Sequence, residues 1–597
     1  MLKQLLTIVF LILLVHVTGC NQANTPGQEL ANKPPVPKVL PADQQAPVRQ
    51  ELESSPGVTE SETAKKPRTA ELVQSFDIAT TASREAAMPR LQGNAGNSLL
   101  NQLRHASEPL NRENYVHYDD NPLKLVAEDP VSTFSIDVDT GAYANVRRMI
   151  NSGQLPPHDA VRAEEFINYF SYDYHNSEDK HLPFAVAREL APSPWNPDNY
   201  LLHIGIKAQD IKQEMLPEAN LVFLVDVSGS MQSANKLGLL KSSLKLLTKR
   251  LTAKDKVSIV VYAGASGVVL SPTAGNQTAA IDVALDQLAA GGSTNGGAGI
   301  KLAYSIAEQA FIPGGINRVI LATDGDFNVG TVNHEQLVNL IEEKRKTGIS
   351  LSTLGFGAGN YNDHLMEQLA DKGNGNYAYI DTMNEAQKVL VDEMSSTLLT
   401  VARDVKIQIE FNPDNVSEYR LIGFENRQLK REDFNNDKID AGEIGAGHTV
   451  TAIYELKLND GRPGMVDPLR YQHQPEDTAG RVQSGELAFL EIRYKQPDAD
   501  DSRLLTWAIN SNEIRKDISL ASDNFRFAAA VAAFAQQLRG GKFLGDFTYA
   551  GILGLARDAR GDDPFGYRGE FLALVNLAQS LGQGSGQHQD SVDYTLR

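Results

Sequence analysis

The apolar run Leu221-Val222-Phe223-Leu224-Val225 constrains this chain more than any other stretch, because of the polar turn it feeds into. A near-continuous apolar run of that length reads as a parallel strand buried on both faces. The chain then turns through Asp226-Val227-Ser228-Gly229-Ser230. In an open α/β sheet, ligand sites lie beyond the carboxyl ends of the strands. That end carries one carboxylate and two hydroxyls at alternate positions, so hard oxygens crowd into one tight turn. Few carboxylates among neutral oxygens suit Mg²⁺, which keeps part of its water and wants an octahedral shell. Alone, the turn is a modest signal, since Asp, Ser and Gly also build ordinary loops.

Two later stretches strengthen it. Arg318-Val319-Ile320-Leu321-Ala322-Thr323 repeats the buried-strand pattern and ends in Asp324-Gly325-Asp326. Before it, Gly291-Gly292-Ser293-Thr294-Asn295-Gly296-Gly297 is a glycine-rich loop that offers a threonine hydroxyl. Together the three pieces resemble the metal-ion-dependent adhesion site of von Willebrand factor type A domains. The family's DxSxS motif falls on Asp226, Ser228 and Ser230, its threonine on Thr294 and its aspartate on Asp324. The resemblance implies an α/β fold, a doubly wound Rossmann-like domain with a mainly parallel sheet. It also implies that Asp226 and Asp324 hold an ion directly or through water, with Ser228 and Ser230 completing the lower shell. Thr294 would move between direct and water-mediated coordination, and an Asp or Glu of a protein partner would fill the open position. Mg²⁺ is the expected ion, with Mn²⁺ and Ca²⁺ open because they take the same oxygen ligands. Asp326, two residues further along a glycine turn, reads as exposed.

The net charge of −19 and the lack of a basic block argue against a nucleic-acid partner. Residues 1–19 carry Lys3 and then an apolar stretch from Leu5 to Val15, the pattern of a secretory signal peptide. They lead into Val17-Thr18-Gly19-Cys20, which resembles the bacterial lipobox, and Cys20 is the chain's single cysteine. That resemblance implies a lipid-anchored cell-envelope protein, with acyl chains, palmitate included, on Cys20. Asn21 lacks the aspartate that retains such proteins in the inner membrane, which points to the outer membrane. Residues 20–75 hold eight prolines and no aromatic residue. Such a segment buries too little apolar surface to order itself and reads as a disordered tether.

Residues 76–181 read as an N-terminal accessory domain, with a strand over Phe134–Thr140 and helices over Tyr143–Ile150 and Asp159–Phe170. Asp137, Asp139 and Thr140 look like a strand-to-helix turn with an N-cap rather than a metal loop. Residues 182–218 are β-structure, and the von Willebrand-like unit spans 219–397. Within it Leu237, Leu240, Leu244, Leu247 and Leu251 form one helical stripe. Asn333 and Gln336 open a helix that Gly348 ends, and Asn362 opens another. Over 398–510 the period changes to two, as in Val405, Ile407, Ile409 and Phe411, which predicts antiparallel strands. With β-patterns on both sides, the unit is expected to be inserted into a β-sandwich. Residues 511–581 are helical, and 582–597 form a disordered tail. The accessory and C-terminal parts resemble domains that accompany von Willebrand domains in a family of bacterial lipoproteins.

Catalytic signatures are missing: there is no GxSxG, HExxH or Walker loop, and the histidines are scattered. Asp433-Phe434-Asn435-Asn436-Asp437 starts like a calcium loop, but Lys438 stands where glycine is required, so a polar turn is expected. The reading is a non-enzyme that binds a protein through a bridging metal. The alternatives are an assembly or chaperone factor for an envelope complex, or a structural lipoprotein whose metal only stabilises the fold.

Overall fold

Runs that are apolar at every position and runs that alternate build different sheets here. The computed structural model describes residues 40–41 and 113–586, apart from 138, 180, 212, 326–333, 360, 440, 461–463, 465–484 and 498. Cys20, most of the 20–75 segment, Asp326 and the Asn333 helix start lie outside these residues.

Strands Ala219–Asp226 and Ile316–Thr323 are buried throughout and stand side by side at the centre of a six-stranded sheet. Ser350–Phe356 and Tyr377–Ile380 continue it on one side, Lys256–Tyr262 and Ser266–Ala274 on the other. Ser266–Ala274 is antiparallel to its neighbour, while the other strands run parallel. Side chains alternate between faces. Leu221, Phe223 and Val225 meet helices Leu239–Thr248 and Thr278–Gln287. Val222 and Leu224 meet helices Gly296–Gln309, His334–Lys346 and Asp363–Lys372. This is the α/β architecture of a von Willebrand-like domain. The leucine stripe starts in a π-helical turn, Ala234–Gly238, and the helix ends at Thr248, which leaves Leu251 beyond it.

The alternating runs form two antiparallel sheets that share one apolar core. One contains Val131–Ser135, Thr400–Phe411, Glu486–Lys495 and Ser502–Asn510. The other contains Phe184–Pro192, Tyr200–Ala208, Val416–Ile422 and Thr449–Leu458. Strand Tyr200–Ala208 pairs with Thr449–Leu458 across the whole von Willebrand-like unit in sequence.

Several local expectations are corrected. Leu40–Pro41, inside the expected tether, pairs with Leu504 and Arg503 on an edge of the first antiparallel sheet. The expected helix Asp159–Phe170 divides into a 3-10 turn, His158–Ala160, and a helix, Ala163–Asn168. Helix Gly141–Asn151 has Thr140 at its N-cap position but no side-chain cap bond. Asp139 instead accepts from the Tyr377 backbone N–H at 2.8 Å and pairs with Arg427. The last helix, Tyr567–Gly586, runs past Leu581 into the expected tail. The polar turn at Asp433 is a 3-10 helix, Arg431–Asn435. The accessory helices are not a separate body either: Tyr143, Phe166 and Phe170 share a core with Phe527, Phe534 and Phe571 of the C-terminal helices. Among the described residues, no helix is long and apolar enough to cross a membrane.

Candidate metal centre

The parallel register sets the site. Val225 stands opposite Ala322, and Asp226 opposite Tyr262, so Asp226, Tyr262 and Thr323 lie together at the carboxyl ends of adjacent strands. Asp226 and Asp324 are both fully buried. The turn after Asp226 folds back on itself, and Ser228 N–H donates to Asp226 Oδ1 at 2.8 Å. Tyr262 and Thr323 hydroxyls donate to Asp226 Oδ2 at 3.2 and 2.8 Å. A carboxylate oxygen has about two acceptor positions. Oδ2 is therefore occupied, and Oδ1 retains room for an ion or its water.

Ser228 Oγ and Ser230 Oγ lie 3.0 Å apart. Adjacent ligands of an octahedral Mg²⁺ with bonds of about 2.1 Å are roughly 3 Å from each other. The hydroxyl pair thus fits two neighbouring positions of such a shell, and the donor set is hard oxygen throughout. The glycine loop closes over the turn: Gly229 N–H donates to Gly292 O at 3.1 Å, and Gly291 N–H to Val227 O at 2.7 Å. Thr294 lies on that loop, half-buried, just before helix Gly296–Gln309.

Electrostatics favour a cation. Burial pushes the Asp226 carboxyl above its usual range and the charge of Asp324 adds to this, while hydrogen bonds from Ser228 and Thr323 oppose it. The sequence reading missed the cation already present. Lys236 Nζ lies 2.7 Å from Asp324 Oδ2, held there by the π-helical turn. Its stem crosses Gly357, whose φ is +79° and where a Cβ would run into Lys236 Cε. Tyr262 and Thr323 were also missed. Their only signal in sequence is their place at the carboxyl ends of neighbouring strands.

The other acidic runs are committed elsewhere. Asp137, Asp139, Glu367 and Asp371 surround Arg427 at 2.8–3.3 Å. Asp437 accepts from Arg493 and Ser502.

Residues 220–393 match the von Willebrand factor type A domain family, residues 109–203 the family described as von Willebrand factor, and residues 396–581 the family described as Uncharacterized protein YfbK, C-terminal. The chain is 50% identical over 474 residues to Uncharacterized protein YfbK of Escherichia coli (strain K12), covering 78% of this chain and 81% of that protein. It is 28% identical over 215 residues to Uncharacterized protein sll0103 of Synechocystis, covering 36% of this chain and 50% of that protein. Among solved structures, von Willebrand factor type A from Catenulispora acidiphila superposes with a TM-score of 0.38 at 15% identity, covering 65% of this chain and 89% of that one. The chain belongs to the family of the uncharacterized protein YfbK, with a von Willebrand factor type A domain followed by the YfbK C-terminal domain.

Proposed function

We propose that this is a lipid-anchored cell-envelope protein whose type A domain binds a protein partner through a divalent ion. Asp226, Ser228, Ser230, Thr294 and Asp324 hold the ion, and a Glu or Asp of the partner completes its shell. Mg²⁺ is the first choice, with Mn²⁺ and Ca²⁺ compatible. The observation that carries this reading is the meeting of two fully buried carboxylates, at the carboxyl ends of the central strands, with a hydroxyl pair whose oxygens are 3.0 Å apart. Bound there, the ion supplies a positive centre with an open position, and an anionic oxygen is its natural ligand. The type A domain match supports a protein-interaction role. Anchoring rests on the lipobox resemblance at Cys20, with the outer membrane as its destination. In this reading the type A domain is an insertion into a β-sandwich, and the protein is a binding module rather than an enzyme.

The test is calorimetric titration of Mg²⁺ into the full chain and into Asp226→Ala, followed by capture from envelope extract in Mg²⁺ and in EDTA. We expect a partner retained by wild type in Mg²⁺ alone, and lost when its own bridging carboxylate is replaced by an amide. Equal capture under all conditions would reject the bridge and favour a metal that only stabilises the fold. Cys20→Ser checks the anchor, and is expected to abolish incorporation of labelled palmitate.

A further inference from the structure

Two of the scattered histidines meet. His117 lies in the segment that leads into the accessory helices, and His158 and Asp159 lie in the 3-10 turn His158–Ala160. The two imidazole centroids are 5.9 Å apart. Asp159 Oδ1 sits 2.7 Å from His117 Nδ1 and 3.3 Å from His158 Nδ1. Asp119 Oδ1 adds a second carboxylate 3.4 Å from His117 Nε2. One ligand atom from each of His117, His158 and Asp159 lies within 4.8 Å of the others.

We propose that His117, His158 and Asp159 form a second metal site, taking a divalent ion that prefers imidazole nitrogen, Zn²⁺ foremost. Two imidazoles and a carboxylate match the ligand chemistry of Zn²⁺, and water completes its four-coordinate shell. An ion here takes the place of the proton between each Nδ1 and Asp159: a neutral imidazole then carries its proton on Nε2, and an imidazolium gives one up to solvent.

A chance surface contact between histidine and carboxylate would not be braced from behind, and this one is. Arg539, 6% exposed, reaches both segments at once. It donates to Tyr118 O at 2.8 Å and Asp120 Oδ1 at 2.7 Å on the His117 side, and to Val161 O at 2.8 Å on the His158 side. One buried guanidinium therefore fixes the spacing of the two strips of backbone that carry the ligands. Preorganisation of this kind lowers the ordering cost of binding. The side chains themselves stay open to solvent, with His117 62% and His158 39% exposed, so an ion can reach them. The chemistry also separates this site from the oxygen-lined one, which offers no nitrogen ligand.

The experiment titrates Zn²⁺ into the full chain in saturating Mg²⁺, and into His117→Ala, His158→Ala and Asp226→Ala, by calorimetry and by thermal unfolding. We expect one equivalent bound by wild type and by Asp226→Ala, and affinity about tenfold or more weaker in each histidine variant. Zn²⁺ should raise the unfolding temperature of wild type, and that of the histidine variants by clearly less at the same concentration, because an ion that binds only the folded state stabilises it in proportion to its affinity. His117 is exposed and His158 half-buried, and an unchanged unfolding temperature of the variants in EDTA shows that they still fold. Absence of Zn²⁺ uptake by wild type, or equal uptake by the histidine variants, would overturn the site. So would uptake that disappears only in Asp226→Ala.

Discussion

Lys236 sets the energetics of the candidate centre residue by residue. Its ammonium is the charge beside Asp324 in the absence of an ion, and both groups are buried. Removing one partner of a buried pair leaves the other charge poorly compensated, at a cost of about 3–5 kcal/mol. A divalent ion on the same carboxylate, as proposed above, would take over that compensation. Lys236→Met is therefore expected to destabilise the protein in EDTA and to recover most of the loss in Mg²⁺. Denaturant unfolding with and without the ion measures this, and an equal Mg²⁺ effect in variant and wild type would show that the lysine and the ion do not share Asp324. Asp226, Ser228, Ser230, Thr294 and Asp324 can be picked out of the sequence because together they resemble the motif of the type A family, whereas the oxygen side chains after each apolar strand are by themselves a modest signal. Lys236 and Tyr262 cannot, because a lysine before a leucine stripe, or a tyrosine ending a strand, does not reveal what stands across from it.

At the scale of elements, the joints of the type A domain are polar where its interior is not. Helix Asp363–Lys372 starts at Asn362, whose side chain accepts from Leu365 N–H at 3.3 Å, the cap that the sequence announced. Asn362→Ala should cost about 1 kcal/mol, read as a shift in the denaturant midpoint. The next residue, Asp363, is held by Arg162 at 2.5 Å from the accessory helices. Nearby, Arg147 spans three elements, meeting Asp381 at 2.5 Å, Glu385 at 2.7 Å and Glu570 at 3.0 Å. Its side chain is 2% exposed, so Arg147→Met should cost about 3–5 kcal/mol, because Asp381 and Glu385 stay buried without their cation. A loss under 1 kcal/mol would mean that these joints do not couple the domain to the rest. Buried strands such as Ala219–Asp226 and Ile316–Thr323 and the leucine-striped helix are legible in sequence because periodicity is local. The more exposed strand Ser266–Ala274 and helices Thr278–Gln287 and Gly296–Gln309 are not read from it. The joints are not, since Arg147 and Glu570 stand 423 residues apart in the chain and neither neighbourhood signals the other.

For the molecule as a whole, the seam between sheet and helices carries an acid-sensitive group. His203 lies on strand Tyr200–Ala208, 1% exposed, with the Tyr174 hydroxyl 2.9 Å from Nε2 and the edge of Phe525 against its ring. Its Nδ1 has no hydrogen-bond partner among the described residues. Burial pulls its pKa down to about 3, and that of His448 to about 4, with Lys388 and Lys207 adding to the latter. Burial raises Glu164 and Glu165 to about 7 and Asp371 to about 6. The two sets oppose each other. A histidine depressed in the fold binds its proton more readily when unfolded, so stability falls as pH drops below the unfolded value of about 6.5. A carboxyl raised in the fold contributes stability that is lost as pH rises through about 7. Total stability therefore mixes both, but subtracting a variant isolates one. His203→Phe leaves the Tyr174 hydroxyl 2.7 Å from Thr451 Oγ1, so it keeps a partner. The difference in unfolding free energy, variant minus wild type, should be flat above pH 7. Below about pH 6 it should climb by about 1.4 kcal/mol per pH unit, reaching about 2–3 kcal/mol in favour of the variant, relative to neutral pH, by pH 4.5. Urea unfolding across pH 4.5–8 measures it. A flat difference throughout would mean that His203 is hydrated or protonated in the folded protein, and that the seam opens for another reason.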